Sequence, residues 1–219
     1  MITFNDIPSP KQPCPLCQKE SVIFYENPRQ TFFQCQRCEG IFLNPSQRLT
    51  PTKERMRYDL HQNDPDNSGY KAYVKPVIER IKQNESLSAQ CLDYGSGPSS
   101  VVIHLLEELG YQPKEYDPFF HPDTTVFDQN YHFITCTEVM EHFYKPLEEF
   151  QKLYNLLLPG GQIYCMTRLY CPEIDFSTWF YKNDATHVFI YTATTIDYLK
   201  KILGFQNAVI EDKLITFTK

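Results

Sequence analysis

The segment LDYGSG, residues 92–97, is the most informative part of this 219-residue chain. An apolar approach precedes it, and the segment PSSVVIHLLEELG that follows has the apolar spacing of a helix. A strand, a glycine turn and a helix start in succession form a common site for a nucleotide-like ligand, because open backbone and a helix N-terminus can approach it closely. The sequence therefore predicts a cofactor site here.

Two cofactors compete for this turn. A dinucleotide fingerprint has three glycines and an acidic residue about 20 positions further on. Here Ser100 stands at the third glycine position and Asp117 supplies the acid, so the spacing alone leaves NAD open. Asp93, two residues before Gly95, favours a cationic ligand, because its carboxylate attracts an amino group and a sulfonium and repels a pyrophosphate. The charge therefore favours S-adenosylmethionine.

The stretch LDYGSGPSS resembles the first motif of class I S-adenosylmethionine-dependent methyltransferases, D-x-G-x-G. The segments FITCTEVMEHF and LLLPGGQIYCMT resemble two later motifs of that superfamily, in the same order. The resemblance implies a Rossmann-like α/β fold with a seven-stranded sheet and a reversed last strand. The segment between Asp117 and Tyr131 is short and bears prolines, which predicts a reduced third strand. The implied cofactor contacts are Asp93, Gly95, Ser96, Gly97, Asp117 (to the ribose), Thr137 and Glu138.

Strand and helix patterns alternate after residue 87, which predicts a parallel sheet covered by helices on both faces. Ahead of it, YKAYVKPVIERIKQN has helical spacing. Near the end, TATTIDYLKKILGF predicts a helix that Thr194 or Thr195 caps. The predicted division is a zinc-ribbon module at 1–45, a linker and cofactor-capping helical segment at 46–86, and a methyltransferase domain at 87–219.

The N-terminal module contains CPLC at 14–17 and CQRC at 35–38. Two Cys-x-x-Cys pairs at this distance are typical of a tetrahedral four-thiolate zinc site. Four thiolates fill the coordination shell, so the predicted zinc is structural. Free thiols and a rubredoxin-like iron site are the alternatives. The predicted ligands are Cys14, Cys17, Cys35 and Cys38.

The segment EVMEH places Glu138, Glu141 and His142 on one face, if it is helical. It resembles a Glu-x-x-Glu-His segment of plant small-RNA 2′-O-methyltransferases, in which a distant histidine completes a metal site, and a similar stretch of ubiquinone-pathway O-methyltransferases. The resemblance implies that Mg²⁺ or Mn²⁺ is held by these three residues and His187. The alternative is that Glu138 contacts the cofactor while His142 only lines the wall.

An aromatic insert, residues 170–192, contains the only tryptophan of the chain, Trp179. In the fold that the motifs resemble, this region overhangs the methyl donor, which predicts a substrate wall. Methyl transfer to a hydroxyl needs an aligned nucleophile and removal of its proton. His187 is therefore the first candidate for a general base or metal ligand, with Asp184 to orient it and His142 beside it. An aromatic lid with a structural histidine is the alternative.

The segment MRYDLHQN, residues 56–63, lies ahead of the first motif. In related enzymes such a segment closes over the cofactor. Tyr58, His61 and Tyr70 are therefore predicted to line it, and a surface linker is the alternative.

The composition limits the partners. The net charge of −6 disfavours a broad nucleic-acid or membrane surface, because such partners need clustered basic residues. The eight cysteines do not form a secreted disulfide framework, and no signal peptide or spanning segment is seen, which predicts a cytoplasmic protein.

The acceptor is predicted from two further resemblances. The cysteine pairs followed by IFLNP resemble bacterial sugar methyltransferases and a bacterial rRNA guanine methyltransferase. The charge places a small molecule or a saccharide first, with a hydroxyl as the methylated group. An RNA methyltransferase, an NAD-binding oxidoreductase and a non-catalytic scaffold are the alternatives, and the oligomeric state is left open.

Overall fold

A computed structural model describes residues 11–60 and 67–219, which form eleven strands and five α-helices. The helices are α1 (Pro51–Tyr58), α2 (Ser68–Asn84), α3 (Val101–Glu108), α4 (Pro146–Leu156) and α5 (Ala193–Leu203). The strands are β1 (Gln12–Pro13), β2 (Glu20–Glu26), β3 (Thr31–Cys35), β4 (Ile41–Leu43), β5 (Cys91–Tyr94), β6 (Lys114–Tyr116), β7 (Tyr131–Thr137), β8 (Leu157–Met166), β9 (Phe189–Ile190), β10 (Asn207–Glu211) and β11 (Leu214–Thr218).

The larger sheet has the order β10-β11-β8-β7-β5-β6. Strands β6, β5, β7 and β8 are parallel, whereas β11 and β10 are antiparallel to their neighbours. The predicted α/β class and the reversed last strand are confirmed. Six strands of the expected seven are present in the described ranges. Where the third strand is expected, Thr124–Asp128 forms a 3₁₀ helix capped by Asp123, as the short segment predicted.

Helices cover both faces of this sheet. The apolar side of α2 packs with α3 on one face, and the predicted positions Val74, Val77, Ile78 and Ile81 are all buried. Helices α4 and α5 pack on the other face. None of these helices has the length and apolar character that crossing a bilayer requires, as far as the described residues go.

Helix α4 ends at Leu156, ahead of the Gly-Gly pair, and Gly160, with φ of +76°, lies inside β8, where its N–H donates to the carbonyl of Lys219. One local prediction needs correction. Helix α5 is capped by Thr192, not by Thr194 or Thr195. Thr192 has extended backbone, and its hydroxyl accepts a hydrogen bond from the N–H of Thr195. The hydroxyl of Thr195 in turn accepts one from the N–H of Thr192, which makes a reciprocal capping box.

The smaller sheet has the order β1-β2-β3-β4-β9 and is antiparallel throughout. Its last strand comes from the insert, because Phe42 pairs with Phe189 and Ile41 pairs with Ile190. Gly40 permits this pairing, since a Cβ there would lie 2.4 Å from the ring of Phe189. The N-terminal module and the insert therefore share one sheet.

Candidate functional site

A cavity of about 550 Å³ opens at the carboxyl ends of the parallel strands β5, β6 and β7. Ligands of open α/β sheets bind at this edge. One end of the cavity, here called the glycine end, contains Asp93, Gly95 and Gly97. The cavity lining also includes His142 and His187, which cluster with Glu141 and form with it what we call the histidine end.

The turn at the glycine end requires both of its glycines. Gly95 and Gly97 have φ of +85° and +65°, in the left-handed region that favours glycine. A Cβ on Gly95 would also lie 2.5 Å from Cγ2 of Val139. The N–H of Gly97 donates to the Asp117 carboxylate at 3.0 Å. The backbone of this turn therefore lies close to Val139 and is held by Asp117.

Asp93 is buried at the end of β5 and is held by two hydroxyls. Ser100 and Thr135 each donate to one of its carboxylate oxygens at 2.6 Å. Burial raises the pKa of Asp93 to about 6, although these two hydrogen bonds act in the opposite direction. Ser100 also caps α3 at the N–H of Ile103. Serine at the third glycine position therefore has a structural task that the fingerprint comparison missed.

Asp117 is also buried, and its carboxylate orders the neighbouring loop. It accepts hydrogen bonds from the N–H groups of Phe119 and Phe120 at 2.8 and 3.1 Å, in addition to that of Gly97.

Two cavity-lining hydroxyls, those of Ser96 and Thr137, are buried and have no hydrogen-bond partner among the described residues. Buried polar groups of this kind suggest a ligand-binding surface.

Glu138 is oriented differently from the prediction. Its φ is +54°, and only Met140–His142 forms a short 3₁₀ helix, so EVMEH has no common helical face. The Glu138 carboxylate instead accepts a hydrogen bond of 2.6 Å from the hydroxyl of Tyr73. Burial, with a smaller contribution from the charge of Glu141, raises the pKa of Glu138 to about 8. Tyr73 was missed, although it lies one helical turn after the predicted Tyr70.

Glu141, His142 and His187 converge at the histidine end. One ligand atom from each lies within 4.8 Å of the other two. Nδ1 of His142 is 2.8 Å from the carbonyl oxygen of Thr186, and Nδ1 of His187 is 2.7 Å from that of Tyr181. A carbonyl oxygen only accepts, so both Nδ1 atoms carry the hydrogen, and Nε2 of each neutral ring is an electron-pair donor.

The carboxylate of Glu141 is fully buried. One oxygen accepts a hydrogen bond of 2.5 Å from Tyr181, and the other has no hydrogen-bond partner among the described residues. Burial raises the pKa of Glu141 and lowers that of His187, although each charge opposes the other's shift. Two imidazole nitrogens and one carboxylate oxygen fit a metal of mixed nitrogen and oxygen preference better than Mg²⁺, which prefers oxygen. Glu138 is outside this set.

Asp184 does not hold the ring of His187. Its carboxylate accepts hydrogen bonds from the N–H and hydroxyl of Thr186 and pairs with Arg57 at 3.0 Å. Burial raises the pKa of Asp184, but these hydrogen bonds outweigh it and lower the pKa below its usual range. Asp184 therefore shapes the turn that leads to His187, and the Tyr181 carbonyl orients the ring.

Helix α1 forms the outer wall of the cavity. Tyr58 packs between Phe119 and His142, with ring centroids 5.7 and 5.5 Å away. Its hydroxyl donates to Glu54 at 3.0 Å, and Tyr144 donates to the other oxygen of Glu54 at 3.1 Å. Tyr58 and Tyr70 line the cavity, whereas His61 lies outside the described residues. Glu54 and Tyr144 were missed, because only the fold brings them together.

The four N-terminal cysteines converge as predicted. Cys14 and Cys38 have sulfurs 3.6 Å apart, and Cys17 and Cys35 have sulfurs 3.3 Å apart. One sulfur from each of the four lies within 4.8 Å of the others. Tetrahedral zinc with Zn–S bonds of about 2.3 Å separates its sulfurs by about 3.8 Å. The cluster is therefore compatible with a zinc ribbon.

Comparison with known proteins gives a consistent result. The family model described as a methyltransferase domain matches residues 67–209. An O-methyltransferase family protein from Burkholderia thailandensis has a TM-score of 0.52 and 11% identity, over 75% of this chain and 61% of that one. Magnesium protoporphyrin IX methyltransferase from Synechocystis PCC 6803, with bound SAH, has a TM-score of 0.50 and 11% identity, over 77% and 94%.

At 11% identity the two structures share the fold with this chain, which spans about three fifths of the length of the Burkholderia protein. No curated protein sequence matches the chain.

Proposed function

The chain belongs to the methyltransferase domain family and is an S-adenosylmethionine-dependent methyltransferase, and from this premise we propose that it methylates a hydroxyl group of a small molecule or saccharide. The observation that carries the proposal is one cavity with two unlike ends, a carboxylate-bearing glycine turn and a buried Glu-His-His cluster. The first suits a cationic methyl donor, and the second suits a hydroxyl that must lose its proton.

The glycine end holds the cofactor in this proposal. Asp93 attracts the amino group and sulfonium, and the close backbone at Gly95 and Gly97 leaves room for the methionine part. The hydroxyls of Ser96 and Thr137 gain the hydrogen-bond partners that they lack among the described residues. Asp117 still has accepting capacity for the ribose hydroxyls, because each carboxylate oxygen can accept more than one hydrogen bond.

The histidine end receives the acceptor. The Tyr58 ring packs edge-on against His142 and in this proposal shields the histidine end from water. Exclusion of water and alignment of the nucleophile with the methyl group are the main demands of a displacement at carbon. A cavity of about 550 Å³ leaves room beside the cofactor for a small acceptor or one ring of a larger one. The net charge of −6 favours such an acceptor over RNA.

The cluster Glu141, His142 and His187 would hold a divalent cation such as Zn²⁺ or Mn²⁺, which lowers the pKa of an acceptor hydroxyl. The carbonyls of Thr186 and Tyr181 fix the ring tautomers that this requires. The Tyr181 hydroxyl orients one oxygen of Glu141 and leaves the other toward the cluster. Cys14, Cys17, Cys35 and Cys38 are assigned a separate, structural zinc.

Methyl transfer tests the acceptor assignment. The protein is incubated with ¹³C-methyl-labelled S-adenosylmethionine and a panel of glycosides, phenols and amines, and the carbon shift of the product identifies the methylated atom. We expect O-methyl products. In His187→Ala we expect kcat to fall by about a hundredfold or more with unchanged affinity for S-adenosylhomocysteine. The matched control is His104→Ala, at a half-buried histidine on α3. Methylation of amines alone would contradict the hydroxyl assignment.

Manganese titration followed by electron paramagnetic resonance tests the metal assignment. Mn²⁺ prefers nitrogen and oxygen ligands, so it reports on this cluster and not on the four cysteines. We expect one Mn²⁺ site that disappears in Glu141→Gln. Full activity of exhaustively chelated protein, with no Mn²⁺ site, would assign His187 as a metal-free general base instead.

A further inference from the structure

The insert contains little regular structure of its own. Between β8 and β9 the described chain consists of turns and one 3₁₀ helix, Phe180–Asn183. Yet Tyr181 and His187, which build the histidine end, both lie in this segment. An irregular segment keeps a defined conformation only if its neighbours hold it, because ordering each residue costs about 1–2 kcal/mol of conformational entropy. The neighbour here is the N-terminal module.

An aromatic contact joins the two segments. The ring of Phe176 packs edge-on against Phe24, Tyr25 and Phe32 of the module, with centroids 5.0, 5.3 and 5.3 Å away. From the insert side, Tyr170 and Trp179 pack against the same ring. Phe176 is buried, although it lies in a turn-rich segment. It is therefore the central packing residue of this interface.

Hydrogen bonds to the backbone of the insert hold it in place on either side of His187. On one side, the Gln30 side chain donates to the carbonyl of Lys182 at 3.0 Å. On the other side, Val188 accepts a hydrogen bond of 3.1 Å from Leu43 and donates one of 3.0 Å to the carbonyl of Glu141. Val188 is thus held between strand β4 of the module and the backbone of the cluster's carboxylate residue.

The cysteine site is connected to the same framework. The carbonyl of Cys38 accepts a buried hydrogen bond of 2.9 Å from Thr195, which belongs to the capping box of α5. Strand β4 begins three residues after Cys38 and carries the pairing with β9. The cysteine site is therefore linked through β4 to the insert.

We propose that the N-terminal module holds the histidine end in its conformation. In this proposal Phe176 is a positioning residue for Tyr181 and His187. The inference rests on the proposed function, because it assigns to the module a role in that reaction and not in partner binding. Phe176 acts through Trp179, whose ring lies 6.0 Å from that of Phe176 and 5.1 Å from that of Tyr181. The Tyr181 hydroxyl in turn contacts Glu141, and its carbonyl orients His187. The glycine end is built by β5, β6 and β7 and does not depend on this interface.

The test compares Phe176→Ala with Phe205→Ala. Phe205 is equally buried and packs against Tyr154 and Phe217, in a different core cluster from Phe176, so it controls for a general loss of stability. Trp179 is the only tryptophan and reports on the insert directly. The measured quantities are its emission spectrum, the Kd for S-adenosylhomocysteine, the Kd for Mn²⁺ and kcat.

For Phe176→Ala we expect a red-shifted Trp179 emission, a Mn²⁺ affinity and kcat each reduced by about tenfold or more, and a Kd for S-adenosylhomocysteine within about twofold of the parent. Phe205→Ala should leave the emission spectrum and both affinities unchanged. Should Phe176→Ala fail to fold, Phe24→Ala removes one contact of the same ring at a half-buried position.

Two results separate the inference from the proposed function. Unchanged emission and kcat in Phe176→Ala and Phe24→Ala would overturn the positioning role, whatever the chemistry of the cluster. Absence of a Mn²⁺ site in the parent protein would refute the metal assignment alone, and the emission spectrum with kcat would still test Phe176.

Discussion

The two ends of the cavity are built in opposite ways. At the glycine end, Asp93, the two glycines and Ser100 lie within eight consecutive residues, from the end of β5 to the start of α3. At the histidine end, Glu141 and His142 come from one segment and His187 comes from the insert, far away in the sequence. The first end is therefore determined by local sequence, whereas the second depends on long-range packing. A single substitution should therefore disrupt the glycine end by steric conflict. At the histidine end it should instead weaken the packing that holds the side chains in place.

The sharpest test of the local end is Gly95→Ala. The added methyl would contact Val139 and the residue would keep an unfavourable positive φ, so the turn must shift. We expect the affinity for S-adenosylhomocysteine to fall by about a hundredfold, since each 1.4 kcal/mol is a factor of about ten. Calorimetric titration measures this affinity.

The matched control is Gly110→Ala. Gly110 also has a positive φ, of +97°, but a Cβ there has no atom within 4 Å. It should cost about 1–2 kcal/mol of stability and leave cofactor affinity unchanged. Equal losses of affinity in the two variants would show that strain, and not the contact with Val139, controls the turn.

A second test uses the charge at the glycine end. Asp93, with its pKa near 6, takes up a proton as the pH falls through that value, and the neutral carboxyl no longer attracts a cation. Affinity for S-adenosylmethionine should therefore reach its maximum above pH 7. Below pH 6 it should fall by up to about tenfold per pH unit. Titration calorimetry from pH 5 to 8 measures the profile. Asp93→Asn should bind weakly with no such dependence, and a flat profile in the parent would contradict the role of Asp93.

The smallest expected effect concerns the ion pair between α1 and the insert. Arg57 and Asp184 are 3.0 Å apart, and the arginine side chain is 45% exposed, so the pair contributes at most about 1 kcal/mol to stability. Arg57→Ala should therefore change the melting temperature by only a few degrees. Lys201→Ala, which removes an exposed pair within α5, is the control. If only Arg57→Ala also lowers kcat, then α1 belongs functionally to the histidine end.

The sequence predicted the glycine end well because its signals are contiguous. The strand, the glycines and the helix that Ser100 caps lie side by side, so local spacing was enough to find them. The four cysteines were found for the same reason, because two short Cys-x-x-Cys pairs carry the pattern. The shortened third strand was also visible as a short, proline-bearing segment.

The histidine end was only partly predictable. Residue type singled out Glu141, His142 and His187, but helical spacing wrongly grouped Glu138 with them, because the left-handed backbone at Glu138 turns its side chain to Tyr73. The pairing of β4 with β9 gave no local signal, since each strand has only two or three residues and they lie far apart in the chain. Long-range pairing of this kind depends on the whole fold.

The pairing of β4 with β9 also has a consequence for the synthesis of the protein on the ribosome. Strand β4 emerges early, but its partner, Phe189, follows only when most of the chain has been made. Until then, β4 presents an open edge of apolar residues, which is a template for incorrect association. Such non-local pairing is slow to form. The edge of β4 therefore stays unpaired until the ribosome has synthesised residues 189 and 190.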